Sequence, residues 1–429
     1  KHGGFLAPGM DFAFGFTGDD YIDRALQNDW LICNDSVVSP ASSNALEDLQ
    51  LRISLEPIRD LKIDLTANRT RNRSREIQYM FEGMPDTRSG NFSMSIISIG
   101  SAFERPSAGD GYHSGTFERF RRNLDVIRDR VESQFLGAQY PQGSTLAGKT
   151  FDPANGTISK HSPDVMIPAF LAAYTGKSAR NSALDFFPSL FSMMPNWRIT
   201  YTGLTKIAWF KKNFRSVNLN HAYRSTYSVG SYNTFQSFMS YMGDIGFVED
   251  VQSGNPIPSS RFDISMVSIN EQFSPLIGMD ATLKNGLTAK VEYKTSRILN
   301  LSMSACQLVE TASRDFVIGL GYKIVNFNLF SARNVKDSKN RVSHDLALRA
   351  DISFRNQSAL CRDIQQGFAQ ATNGNKALKI SCSADYTLSR LLTLRLYYDR
   401  QQNTPLVSSS SYPVVSADFG FSMKFSLTR

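Results

Sequence analysis

Phe419-Gly420-Phe421-Ser422-Met423-Lys424-Phe425-Ser426-Leu427 sets a large apolar side chain at every second position, with small or polar residues between. A backbone that sends successive side chains to opposite faces is a β-strand, here apolar on one face and wet on the other. The same rhythm runs through Leu392, Leu394, Leu396 and Tyr398, and through Leu378, Ile380, Cys382, Ala384 and Tyr386. It recurs in Leu346, Leu348, Ala350, Ile352 and Phe354, in Leu287, Ala289, Val291 and Tyr293, and in Ile277, Met279, Ala281 and Leu283. Val217, Leu219, His221, Tyr223 and Tyr227 follow it more loosely; Leu49, Leu51, Ile53 and Leu55 precede Leu61, Ile63, Leu65 and Ala67 near the N-terminus.

An alternating strand fits a soluble β-sandwich, where the apolar face meets a second sheet, or a membrane barrel, where it meets lipid. Two features favour the barrel. The segments number about fourteen and run roughly 9–13 residues, longer than the usual 5–6 and suited to a tilted membrane strand. Charged residues also stand mid-strand on the polar face (Lys284, Lys290, Glu292, Arg349, Asp351, Arg395), as a solvated lumen allows. The expected fold is all-β: transmembrane antiparallel barrel strands with a small helical insertion.

Connectivity points the same way. The tight turns Glu56–Asp60, Lys284-Asn285-Gly286 and Thr387–Arg390 fall on one side when strands are counted back from a last strand ending in the periplasm, where short turns belong. The Asn356–Lys376 and Gln401–Ser416 segments then read as outer loops, and Leu61–Phe81 as one long projecting strand returning through a Gly83–Gly90 tip.

Between Ser101 and Pro195 the alternation stops. Phe117, Phe120, Leu124, Ile127, Val131 and Phe135 recur at helical spacing, and Pro163 to Ala179 suggests a second helix. The chain thus divides into residues 1–101 (strands with a long hairpin), 102–195 (a helical insertion, expected on the periplasmic side) and 196–429 (C-terminal strands). The helices either pack on each other and the barrel rim or present a docking surface.

Composition excludes much else. The 429 residues carry a net charge of +8 from dispersed Lys and Arg, and no nucleic-acid partner is expected. Apolar runs such as Met166–Tyr174 are too short for a membrane helix. The chain opens at Lys1-His2-Gly3-Gly4 and reads as a mature or cleaved piece. Five scattered histidines and four cysteines show no metal spacing, and there is no phosphate loop or nucleophile elbow, so no enzyme activity and no cofactor is expected. Cys306 and Cys361 read as loop residues on one side, open to a disulfide or to two free thiols; Cys382 reads as a small hydrophobe. Tyr201, Trp209, Phe210, Phe214, Tyr322 and Tyr397 are candidates for interfacial girdles. Arg69, Arg71, Arg73 and Arg75 share parity with Leu61–Ala67 and form the candidate site, either a lipopolysaccharide contact or an arginine face meeting water and loops.

Particular strings add a resemblance. Asn196-Trp197-Arg198-Ile199-Thr200-Tyr201-Thr202-Gly203-Leu204, Val217–Ser225, Asn270-Glu271-Gln272-Phe273-Ser274-Pro275-Leu276-Ile277-Gly278 and Arg400-Gln401-Gln402-Asn403-Thr404-Pro405-Leu406-Val407 resemble the outer-membrane translocon of the type 9 secretion system, the Sov/SprA family of Bacteroidetes. The resemblance is dense from about Pro195 to Arg429 and thinner before it. It implies the C-terminal portion of a 36-strand barrel in a Gram-negative outer membrane, with a lumen that passes folded cargo and a lateral opening. The partners it implies are the remainder of that barrel, an accessory lipid-exposed barrel (PorV-type) at the lateral opening, a periplasmic plug protein, cargo with a C-terminal signal domain, and membrane lipid including lipopolysaccharide. Against it stand a self-closed porin or specific transporter, and a soluble surface β-sandwich adhesin.

Overall fold

The computed structural model describes residues 10–14, 21–28, 30, 40–77, 86–327, 345–388, 392–407 and 412–425. Among them the alternating segments become one large antiparallel sheet of 13 strands, the all-β architecture that the alternation predicts. The strands are β1 (Ala41–Ile58), β2 (Leu61–Ile77), β3 (Thr87–Ser95), β4 (Asn196–Tyr201), β5 (Phe214–Thr234), β9 (Phe262–Asp263), β10 (Met266–Leu283), β11 (Leu287–Ser302), β12 (Gln307–Ile324), β13 (Leu346–Asp363), β14 (Ala369–Thr387), β15 (Leu392–Pro405) and β16 (Val414–Phe425). A separate small sheet holds β6 (Met239–Met242), β7 (Ile245–Glu249) and β8 (Pro256–Ser260). The short helices α1 (Met10–Ala13) and α2 (Tyr21–Gln27) precede the strands, α3 (Gly115–Ser133) and α4 (Pro163–Tyr174) form the insertion, and α5 (Ala208–Asn213) precedes β5.

The order across the large sheet is β1-β2-β3-β5-β10-β11-β12-β13-β14-β15-β16. The pattern predicts about fourteen strands; the 13 observed fill eleven positions, because β3 and β4 share one slot and the two-residue β9 pairs only with the end of β5. β3 pairs with Arg69–Glu76 of β2, while β4 pairs with Leu61–Thr66 of the same strand. Both also pair with β5. They are two halves of one strand, and residues 96–195 leave and return at its middle.

Side chains carry the ladder across this break. The Asn196 Oδ1 accepts the Ser225 N–H at 2.7 Å and its Nδ2 donates to Ser95 Oγ at 3.2 Å. Ser95 Oγ in turn accepts the Asn68 N–H at 3.0 Å. Buried backbone groups that lose a strand partner must find another acceptor or donor, and two short polar side chains at the cut supply it.

The strands outrun their sequence pattern, reaching 21 residues in β5 and 19 in β14. Pairing of β13 with β14 continues to Arg362↔Ala369, so most of the expected Asn356–Lys376 loop is strand and only residues 364–368 turn. Likewise β15 reaches Pro405 and β16 starts at Val414. Alternation fades there because both faces are polar or covered, yet the backbone ladder needs no apolar residue to continue. The tight turns at Arg59-Asp60 and residues 284–286 are as expected. Asp60 (φ +70°) and Gly286 (φ +90°) take the left-handed conformation these two corners need. The 388–391 corner, the 83–90 tip and the ends at Phe81 and Leu427 lie wholly or partly outside the described residues. The link between β12 and β13 (residues 325–345) belongs to the same end as the tight turns, so that end is not uniformly short.

The insertion has its own core. Ser114 caps α3, accepting the Phe117 N–H at 3.1 Å, and Phe117, Phe120, Leu124, Ile127 and Val131 bury the face expected from their spacing. Against it lies α4, buried nearly all round, with Phe120 and Phe170 edge to face at 6.0 Å. Unforeseen from sequence, the β6–β8 sheet joins this core: Phe247 of β7 lies 5.2–6.2 Å from the rings of Phe135, Tyr140 and Phe151.

Candidate membrane-facing surface

Register places the apolar residues of neighbouring strands in rows. One runs Leu287↔Tyr322↔Leu348↔Ala384↔Leu396↔Phe421 across β11 to β16. Three steps farther along the strands lies Tyr293↔Phe316↔Phe354↔Leu378. The next row beyond is Thr295↔Arg314↔Asn356↔Lys376, where the apolar run ends. On β15 and β16 the large apolar residues sit closer to the turn end, from Tyr398↔Phe419 down to Leu392↔Phe425. A band that steps sideways across successive strands is what a level apolar layer makes on tilted strands.

This band is exposed: Ile352 46%, Phe354 45%, Phe419 72%, Met423 66%. Isolated exposed hydrophobes are ordinary, but a contiguous apolar surface over six strands is not. The opposite face carries Asp280, Lys290, Glu292, Arg349, Asp351, Asp385 and Arg395, with Lys290 and Lys294 at 3.0 and 2.9 Å from the Glu292 carboxylate. Lys284, read as a mid-strand charge, falls in the turn after β10. Tyr397 leaves the girdle set: it lies on the charged face, its ring lying where a Cβ on Gly420 would stand. Tyr322 keeps the apolar face, and Trp209, Phe210 and Phe214 cluster at the turn end with centroids 4.9–5.8 Å apart.

The far half of the same face is different, because the insertion covers it. Residues of one parity on β11 read Leu287, Ala289, Val291, Tyr293, Thr295, Arg297, Leu299 and Leu301; the last three are buried under the helices. Arg297 pairs with Glu271 of β10 at 2.6 Å and lies over the Tyr174 ring of α4 at 5.8 Å. Glu271 also accepts from Ser98 and Tyr223 at 2.7 and 2.8 Å. On β12 and β13 the buried pair is Arg362–Glu310 at 3.0 Å, with Arg362 over Phe117 of α3 at 5.5 Å and donating to the Tyr112 carbonyl. Arg121 of α3 donates to the carbonyl of Ile364 in the β13–β14 turn. The insertion therefore lies at the end opposite the tight turns. The expectation that it shares their side is corrected, because β3 enters the sheet from the far end and the chain departs above mid-strand.

The sequence offered one signal of this: charges on the apolar parity. Glu271, Arg297, Glu310 and Arg362 all stand where the pattern calls for hydrophobes, which marks a face covered by protein rather than lipid.

Arg69, Arg71, Arg73 and Arg75 lie on the expected face, opposite Met94, Phe92, Gly90 and Arg88 of β3. They also stand on the far half, and the chain itself offers them partners. Arg69 and Arg73 both contact Glu47, Arg71 lies 5.0 Å over the Phe187 ring, and Arg75 is bracketed by Asp23 and Asp86 at 2.9 Å. A lipopolysaccharide phosphate would have to compete with carboxylates already in place. Cys306, Cys361 and Cys382 are free; Cys361 lies within β13, opposite Val309, rather than in a loop, and Cys33 is outside the described residues. Among the described residues no cluster of His, Cys, Asp or Glu could hold a metal, and no helix is long and apolar enough to cross a membrane.

No family model matches the chain, and no curated protein matches it. A solved structure it resembles is OmpT, an outer membrane protein of Vibrio cholerae folded in vitro and in trimer form, at 9% identity over 90% of this chain and 99% of that one. The TM-score of 0.22 is too low for the likeness to bear on function.

Proposed function

We propose that the chain is an arc of a very wide outer-membrane barrel that passes folded proteins, a part of a type 9 secretion translocon. The observation that carries the arc is strand direction. Among the described residues β1 and β16 each have a neighbour on one side only, and as the first and last of eleven alternating positions both run toward the turn end. Joining them would make a parallel seam, whereas bacterial single-chain barrels are antiparallel with an even strand count. More strands are needed, and diameter grows with strand number. The apolar band faces lipid, the charged face lines a wet lumen, and the mixed signs on it limit adhesion to any one cargo. The translocon assignment is supported by the strings around Asn196, Asn270 and Arg400. Its partners are the rest of the barrel, an accessory lipid-exposed barrel at the lateral opening, a periplasmic plug and cargo with a C-terminal signal domain. Lipopolysaccharide contact by the arginine row belongs to the same proposal.

Three measurements test it in turn. Release from membranes without detergent would convert the reading to a soluble adhesin. A closed ring of about a dozen strands in a density map would convert it to a porin or specific transporter. Deleting β16 is expected to stop export of signal-bearing cargo, and continued export would remove the translocon role.

A further inference from the structure

On the charged face a hollow of about 320 Å³ opens beside the break in the composite strand, lined by Arg52 of β1, Arg198 of β4 and Arg224 of β5. All three arginines are exposed, and among the described residues none of them forms an ion pair. Asp64, the carboxylate lining the hollow, is already engaged by Lys62 at 3.5 Å and by the Ser54 hydroxyl, which donates to it. On the same face Lys290, Lys294, Arg355 and Arg395 each have a carboxylate within 4 Å. The hollow therefore gathers unneutralised positive charge on a face whose signs are otherwise mixed.

Register explains both the hollow and its charge. Between Tyr223↔Phe273 and Asn220↔Gly278, residues 274–277 of β10 stand against only 221–222 of β5, so β10 bulges away from its neighbour there. The short side chains of Thr66, Ala222 and Ser274 line the space between the arginines and leave it open. Arg52 pairs with Thr66 and Thr66 with Asn196, and Arg224 follows Tyr223, the partner of Trp197. Arg52 and Arg224 thus stand in one row, about 14 Å apart at the usual spacing of neighbouring strands. Arg198 lies between them, opposite Ala222. Each guanidinium presents a fork that fits a carboxylate. A small molecule would be left mostly uncovered among exposed arginines, whereas small-molecule pockets bury most of their ligand. An extended chain suits the spread better, since its alternate side chains repeat on one face every ~6.7 Å.

We infer that this hollow is a docking site for an extended acidic polypeptide segment, whose carboxylates on alternate residues meet Arg52, Arg198 and Arg224. That such a segment reaches it through a lumen rests on the translocon reading; the binding test does not. The full chain, extracted from membranes in detergent, is titrated at low salt against a fluorescein-labelled Glu-Ser-Glu-Ser-Glu peptide and followed by fluorescence anisotropy. Combining Arg52→Gln, Arg198→Gln and Arg224→Gln should weaken binding about tenfold. Combining Arg349→Gln, Arg355→Gln and Arg395→Gln removes the same charge from the same face and should weaken it less than about twofold. Equal losses in the two triples would mean general attraction to a cationic face and would overturn the site. So would wild-type protein that does not bind the peptide, or that binds Lys-Ser-Lys-Ser-Lys as well. Should the first triple fail to assemble, the single variants decide: each is expected to bind about twofold more weakly, and no change in any of them overturns the site. If the peptide results hold while export survives deletion of β16, the site stands and the translocon reading falls.

Discussion

The two halves of one sheet face are built from the same strands in the same register, yet they solve burial differently. Toward the turn end the face is bare and wholly apolar, from Leu287 to Tyr293 on β11 and Leu348 to Phe354 on β13. Toward the far end the same parity brings Arg297 and Arg362, each 7% exposed or less and held by a carboxylate and helix aromatics. Lipid supplies no hydrogen bonds, so a lipid-facing half cannot carry charge; a protein cover can satisfy it. On the membrane reading proposed above, the contrast sets the edge of the lipid layer at the row Thr295↔Arg314↔Asn356↔Lys376.

The largest effect is expected on the covered half. Arg297→Met leaves Glu271, 2% exposed, without its cation, and breaking a buried pair in this way costs about 3–5 kcal/mol. The insertion should become sensitive to brief chymotrypsin treatment while the strands of the band remain protected. Replacing both partners, Glu271→Leu with Arg297→Met, should recover most of the loss. Equal protease resistance in the single variant would mean that the pair does not hold the insertion down.

The bare half should respond to charge in the opposite sense. Ile352→Lys puts an ammonium mid-band, with an expected cost of about 2–4 kcal/mol in a bilayer. Were this face in water instead, the same substitution would cost little, because Ile352 is 46% exposed. Urea unfolding from vesicles measures the first, and an unchanged midpoint there would argue that this face meets something other than lipid.

The division between halves was legible in the sequence only in part. Strand parity, the tight turns and the α3 stripe from Phe117 to Val131 follow from local periodicity, which needs no knowledge of neighbours. The composite β3–β4 strand was not legible, since Ser95 and Asn196 are adjacent only in space and nothing along the chain joins the two flanks. Nor was the β6–β8 sheet, whose four- and five-residue strands sit among Gly, Ser and Pro and are fixed by Phe247 packing on the insertion. The arginine row was placed on its proper face, but Glu47, Asp23 and Asp86 come from separate segments that spacing along the chain does not bring together.

A pH effect should appear on the covered half. Burial pushes the Glu104 carboxyl up, but hydrogen bonds from Ser114 and Thr116 and the nearby Arg297 charge more than reverse this and hold it below the ordinary range. A depressed carboxyl contributes stability that is present above its unfolded pKa and is lost as pH falls through the folded one. Proteolysis of the insertion should therefore accelerate below about pH 4, the ordinary carboxylate region. Glu104→Gln should flatten that dependence; a profile identical to wild type would assign the acid sensitivity elsewhere.

The smallest effect belongs to the face opposite both halves. Arg395 lies 3.6 Å from Asp385, but its side chain is 54% exposed on the charged face. An exposed pair of this kind contributes about 0–1 kcal/mol, screened further by salt. Arg395→Gln should accordingly leave unfolding in vesicles within error of wild type, while Ile352→Lys, on the neighbouring strand but one and facing the other way, does not. The pair of variants separates sidedness from strand stability, since both residues lie within paired strands and differ in which face they occupy. If Arg395→Gln proved the costlier of the two, the charged face would be the desolvated one, and lumen and lipid would have to exchange places.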